Sequence, residues 1–235
     1  MNSIEVVLTP ALLPLYNVKG KIVVVIDILR ATSSICVAFK HGAKQIKPVM
    51  TPEESAGYKK QGFLCAAERD GQVVEGFDIG NSPFSYMGEK IKDASIALTT
   101  TNGTRAIELS KEADTVVIGS FLNLEYLCSW IKDQNKDVLL LCAGWKDKFN
   151  LEDTLFAGAV INNLRYLLDP ACDSSIAAED LYLLAKDDLH KYILKSSHAH
   201  RFKDLGIEED IIYCMQQNTI PLIPVLKDGF LVRMK

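Results

Sequence analysis

Apolar runs of strand length alternate with stretches of helical period along most of the chain. KIVVVID (21–27), AKQIKPVM (43–50), FLCAAE (63–68), SIALTTT (95–101), TVVIGSF (115–121) and DVLLLCAG (137–144) read as strands. TSSICVAFKH (32–41) reads as a helix closed by Gly42, and PEESAGYKKQ (52–61) as a short helix with proline in its first turn. GTRAIELSKEA (103–113), NLEYLCSWIKDQ (123–134) and LEDTLFAGAVINNLRYLL (151–168) continue the helical series. This alternation predicts βαβ units and an α/β fold in three layers, α/β/α, with a largely parallel sheet covered on both faces. Beyond Pro170 the pattern changes, and residues 174–217 read as almost wholly helical. The tail IPLIPVLKDGFLVRM (220–234) reads as two short strands around Lys227-Asp228-Gly229, a hairpin signal. Such a hairpin is expected to add antiparallel strands at the sheet edge and make the sheet mixed. With no Gly-, Ser- or Pro-rich linker in view, a single domain over 1–235 is expected.

Composition narrows the classes. The 235 residues are ample for one large core, and 48% hydrophobic with 24% charged is ordinary for a globular protein. Lysine plus arginine against aspartate plus glutamate gives 26 − 30 = −4, which argues against a partner held by a broad basic surface, nucleic acid above all. No apolar run approaches membrane-spanning length, and MNSIEVVLTP lacks a basic segment leading into an apolar one, so no membrane association and a cytoplasmic location are expected. The six cysteines form no CxxC pair, and several lie in apolar runs, which suits buried reduced thiols. The apolar content suggests a homodimer.

The polar residues gather at strand-to-helix junctions. VVVIDILRATSS delivers Asp27, Arg30, Thr32, Ser33 and Ser34 to the end of a very hydrophobic strand. SIALTTTNGTRAI and VLLLCAGWKDKFNLEDTLFAG repeat the design, and the first two junctions both carry an Arg-Ala pair beside hydroxyls, at Arg30 and Arg105. In open α/β sheets, ligands sit at the carboxyl ends of strands. Guanidinium forks there match phosphate, sulfonate or carboxylate, with helix N-termini assisting. A helix-capping role is the plain alternative for any one junction; three in one chain favour anion binding.

The stretch AAERDGQVVEGFDIGNSPFSY adds acids. Glu68 follows a buried strand, and Asp78 lies in the GFDIGNSP turn that fixes Asn81 and Ser82, whereas Asp70 and Glu75 read as solvated. Carboxylates beside an anion site repel the ligand unless a hard cation lies between them, and Mg²⁺ with one or two carboxylates plus phosphate is its usual arrangement. Glu152 and Asp153 open the long helix, where the helix dipole alone accounts for acids, but their place after a strand makes one of them a metal or general-base candidate. The four histidines receive no chemical role. GxGxxG, GxxxxGK[ST] and GxSxG are absent, and Leu29 stands where a haloacid-dehalogenase aspartate loop needs its second aspartate.

Taken together, IDILRATSSI, ERDG…EGFDIGNSP, TTTNGTRAI and LEDTLFAGAVINNL resemble the 2-phosphosulfolactate phosphatases, and SSHAHRFKDLGIEEDIIYCMQQNTIPLIPVLKDG resembles that family's ending. The similarity covers nearly the whole chain. It implies a Mg²⁺-dependent phosphatase with an α/β fold of its own, converting 2-phospho-3-sulfolactate and water to 3-sulfolactate and phosphate, a step of coenzyme M biosynthesis in methanogens. It implies catalytic work for Asp27, Arg30, Thr32, Asn102, Thr104 and Arg105, and substrate contacts from Arg69, Asn81, Ser82 and Gly103. A metal would be held among Asp27, Glu68, Asp78 and Asp153. Attack on phosphorus by Asp27 and attack by water both stay open, as do a different small phosphomonoester substrate and a non-catalytic receptor for organic anions.

Overall fold

The computed structural model describes residues 1–69 and 72–234, with the backbone alone for Arg69 and Gln72. In chain order the elements are β1 (Asn2–Val7), β2 (Ile22–Ile26), α1 (Ala31–Lys40), β3 (Gln45–Val49), α2 (Pro52–Tyr58), β4 (Leu64–Arg69), β5 (Gln72–Val73), β6 (Ser95–Thr99) and α3 (Gly103–Leu109). There follow β7 (Thr115–Gly119), α4 (Leu124–Lys132), β8 (Val138–Cys142), α5 (Leu151–Leu164), β9 (Leu168–Pro170) and α6 (Asp173–Ala185). The chain ends with α7 (Leu189–Ile193), α8 (Ser197–Asp204), α9 (Glu208–Cys214), β10 (Pro224–Lys227) and β11 (Phe230–Arg233).

The sheet order is β5-β4-β6-β3-β11-β10-β7-β2-β8-β1-β9. β4, β6 and β3 form one parallel block; β7, β2, β8, β1 and β9 form another. The expected α/β/α fold with a largely parallel, mixed sheet is what forms. β2 and β8 lie inside the larger block, and every residue of IVVVI and VLLLC is buried, because helices cover both faces. Ile22, Val24 and Ile26 pack toward Leu155, Phe156 and Val160 of α5. Val23 and Val25 pack with Ile35, Val37 and Phe39 of α1.

Two expectations are corrected. The β10–β11 hairpin stands in the middle of the sheet, between β3 and β7, rather than at its edge. Leu231 pairs with Ile46 and Val225 with Val117, so both strands find partners in the interior of the sheet. The long helix stops at Leu164, and Leu168–Pro170 becomes edge strand β9 beside β1, an N-terminal strand that the apolar pattern alone did not announce.

The central hairpin shapes the site. Its three antiparallel junctions reverse strand direction between the two blocks. Ile46 of β3 and Ile96 and Leu98 of β6 nevertheless belong to the same buried cluster as Val23, Val25 and the α1 side chains. Residues Ala31 to Phe39 of α1 are all buried. The segments that follow β2 and β6 meet at the start of this helix. A methyl carbon at Gly103, just past β6, would lie 2.9 Å from both Asp27 Oδ2 and Ala31 Cβ.

Candidate active site

A pocket of about 130 Å³ opens where these strand ends meet. The β2–α1 turn contributes Asp27 and Leu29, β4 contributes Glu68, and the loop after it Asn81. The loop after β6 adds Thr100, Thr101 and Asn102. Trp145 and Lys146 come from the loop after β8, and His198 and Arg201 from α8. A second cleft, of about 430 Å³, shares Glu68, Thr100 and Thr101 with the first and leads outward past Met50 and Pro52.

The hydroxyls of the first junction fasten the turn that carries Asp27. Thr32 Oγ1 accepts the Asp27 amide at 3.1 Å, and the Thr32 amide donates to the Asp27 carbonyl at 2.9 Å. Ser33 donates to the Ile28 carbonyl at 2.9 Å, and Ser34 to the Asn81 carbonyl at 2.7 Å. Thus three hydroxyls hold the strand end, the start of α1 and the GNSP turn in one arrangement. Burial raises the Asp27 carboxyl to about 6, although His198 and the Ala31 amide favour its charged form.

The expected site residues divide into those facing the pocket and those bracing it. Asp27, Glu68, Asn81 and Asn102 line it, and Gly103 backs onto Asp27. Arg30 is buried behind it, its guanidinium paired with Glu68 and Asp210 and lying 5.1 Å over the Phe202 ring. Ser82 donates to the other oxygen of Asp210 at 2.8 Å. Burial pushes the Glu68 carboxyl up and Arg30 draws it back. Thr104 donates to the Thr100 carbonyl at 2.7 Å and so shapes the threonine loop. Arg105 points outward to Asp147, 2.6 Å away. The side chain of Arg69 lies outside the described residues.

Two expected metal ligands use their oxygens on the backbone. Asp153 accepts from the amides of Ile28 at 2.8 Å and Gly144 at 3.1 Å, and from Asn150 Nδ2 at 2.9 Å. It ties the ends of β2 and β8 to the start of α5. Burial, with the nearby Asp27 and Glu152 carboxylates, lifts its pKa well above the ordinary range. Asp78 accepts the Cys65 amide at 2.9 Å and has Lys90 Nζ 3.9 Å away. Among the described residues, no three side chains of the His, Cys, Asp and Glu types form a metal-binding group.

The pocket's cations were not singled out by sequence reasoning. Arg201 lies 4.9 Å over the Trp145 ring and keeps a buried Nε without a partner among the described residues. Lys146 sits 4.6 Å over the other cation's platform, the same Trp145 ring. His198 pairs through Nδ1 with the fully buried Glu152. Nothing in the local pattern of GWKD or SSHAHRF distinguishes these side chains from surface residues.

Fold and site together define an α/β protein whose mixed-charge pocket lies at the carboxyl ends of its strands, with acids from two strands facing cations from a loop and a helix. The family model described as 2-phosphosulpholactate phosphatase matches residues 7–229. A protein of Caldanaerobacter subterraneus subsp. tengcongensis named "Probable 2-phosphosulfolactate phosphatase" is 40% identical over 218 residues, covering 91% of this chain and 90% of the relative. Proteins of the same name from Thermotoga maritima and Clostridium acetobutylicum are 39% and 35% identical, covering 93% and 91% of this chain and 95% and 92% of theirs. The chain belongs to the 2-phosphosulfolactate phosphatase family.

Proposed function

We propose that the chain hydrolyses 2-phospho-3-sulfolactate to 3-sulfolactate and phosphate in a Mg²⁺-dependent reaction. The observation that carries this reading is the pairing of charges in one small pocket: Asp27 and Glu68 face Lys146 and Arg201. A phosphorylated organic acid needs cations for its anionic groups, and phosphoryl transfer needs an acid or base and a counter-charge at phosphorus. Arg201 and Lys146, which line the pocket, hold the phosphate, sulfonate and carboxylate. Asn102 and the threonine loop supply further polar contacts. Arg30 acts from behind, holding Glu68 in place and tying it to Asp210.

The donor set suits a hard cation. Asp27 and Glu68 present carboxylate oxygens, and Asn81 keeps a buried Oδ1 without a partner beside them. These three residues would hold Mg²⁺, which when bound neutralises charge on the phosphoryl oxygens. Asp27 is either the nucleophile that takes the phosphoryl group or the base that receives a proton from attacking water. Asp153 serves it by fixing the turn at Ile28.

No helix is long and apolar enough to cross a membrane. All six cysteines are free and five are buried, which fits a reducing cytoplasm. Tyr166 and Leu184, 90% and 73% exposed, suit the expected homodimer, and the net charge of −4 suits a small-molecule substrate better than nucleic acid.

The direct test is phosphate release from 2-phospho-3-sulfolactate with Mg²⁺ and with EDTA. Release that stops in EDTA and returns with Mg²⁺ is expected. Equal turnover of 2-phospholactate, which lacks the sulfonate, would overturn the substrate assignment and leave a phosphatase of small phosphorylated acids.

A further inference from the structure

We propose that His198 is the acid that delivers a proton to the leaving alcohol, with Glu152 orienting its ring. The inference rests on the phosphatase reading and adds a residue to it. His198 is 5% exposed and lines the pocket. Its Nδ1 is paired with Glu152 Oε1, and Glu152 is fully buried in the first turn of α5. Its Nε2 is buried and has no partner among the described residues, and the ring lines the same pocket as Asp27 and Glu68. The ring is clamped by Trp145, edge-on with centroids 5.6 Å apart, and by Phe202 at 5.9 Å.

A carboxylate on Nδ1 fixes the ring's orientation and leaves Nε2 as the free nitrogen. That arrangement suits a donor at the pocket wall whose one unpaired nitrogen is Nε2. A ring that merely filled space would not need a buried carboxylate behind it, since burying that charge is costly unless it is paired. The charged groups around the ring are Glu152 from α5, Asp27 from the end of β2, and Arg201 from α8 itself, with Glu68 and Lys146 across the pocket.

The chemistry has a place for such a donor. A secondary alkoxide leaves phosphorus poorly unless it is protonated as the bond breaks. The ester P–O bond breaks, its electron pair stays on the ester oxygen, and the Nε2 proton moves to that oxygen. The products of that step are the alcohol and a neutral imidazole. The new bond to phosphorus forms from the Asp27 carboxylate or from water. If Asp27 has taken the phosphoryl group, the water that hydrolyses the acyl phosphate gives its proton to the neutral imidazole and restores it. If water attacks directly, Asp27 takes the water's proton and then releases it to solvent, and the imidazole is reprotonated from solvent.

The test compares two esters with the metal-supplemented protein. One is 2-phospho-3-sulfolactate, whose alcohol needs a proton. The other is 4-nitrophenyl phosphate, whose phenolate leaves unaided. His198→Asn is expected to lower kcat on the first by about 10²–10⁴-fold and on the second by less than tenfold. Glu152→Gln is expected to show a smaller loss with the same preference for the alkyl ester, since the ring keeps its proton donor and loses only the group that orients it. Turnover of the aryl ester shows that each variant is folded. Equal losses on both esters in both variants, or an unchanged alkyl-ester rate, would overturn the assignment while leaving the phosphatase reading intact. A wild-type protein that released phosphate from neither ester would overturn that reading, and this inference with it.

Discussion

At the scale of single residues, Asp27 trades stability for chemistry. Burial raises its carboxyl from 3.8 to about 6. The folded protein therefore binds more protons than the unfolded chain between these values, so this residue's contribution to stability falls as pH rises through that window. Asp27→Asn removes the buried charge without changing the shape of the side chain. In EDTA at pH 7 the variant is expected to be more stable than the wild type by about 1–3 kcal/mol, an advantage that disappears below about pH 4. Mg²⁺ is expected to raise the Tm of the wild type and leave that of the variant in place, because only a bound ligand shifts the folding equilibrium. Thermal unfolding by circular dichroism at the two pH values, with and without Mg²⁺, checks all of this; a variant less stable than the wild type at pH 7 would mean that Asp27 is paired well enough to be ionised. The acids of the pocket were legible in the sequence because Asp27 and Glu68 each stand at the end of an apolar strand, a local cue. The cations were not. Arg201 and His198 reach the pocket from α8 by the packing of a helical segment that no local pattern ties to the strand ends, while Arg30 and Arg105, which have the expected local setting, are held by Glu68, Asp210 and Asp147.

At the scale of elements, the site depends on where α5 lies, because its first turn carries both Glu152 and Asp153. α5 packs against α6 through Gly158. A methyl carbon there would lie 2.0 Å from the Ala178 carbonyl oxygen and 2.8 Å from Tyr182 Cβ, so the helices touch backbone to side-chain root. Gly158→Ala must push α6 away or shift α5. Either movement costs about 1–3 kcal/mol by overpacking, even though alanine favours the helix. A shift of α5 also disturbs the Asp153 bonds to Ile28 and Gly144. The variant is expected to lose Tm, which a thermal melt would show, and to lose kcat beyond what its residual fold accounts for. A Gly158→Ala protein with raised Tm would mean that the helix pair has slack. The helical period of 151–164 was plain in the sequence, but its end was not: the apolar Leu167 and Leu168 continue the pattern while the chain already leaves the helix to form β9.

At the scale of the whole molecule, the C-terminal hairpin decides how the two parallel blocks meet. Strand-helix alternation was enough to foresee a covered α/β sheet, because each βαβ unit is local in sequence. It could not place a hairpin, whose partners β3 and β7 lie more than a hundred residues away. The difference between edge and centre has a measurable consequence. An edge hairpin can be removed with a modest loss, since the core beneath it stays closed. Here β10 and β11 are the sole link in the sheet between β3 and β7, and Leu231, fully buried, packs among the side chains around α1. A chain ending at Thr219 would expose the facing edges of both blocks along their unpaired backbone groups, a condition that favours aggregation. It would also leave α1 without one wall of its enclosure. Such a chain is expected to lose its cooperative thermal transition and to accumulate as insoluble protein. A truncated chain that stayed monodisperse and melted cooperatively would show that the two blocks close, and that Asp27 meets Gly103, without the hairpin.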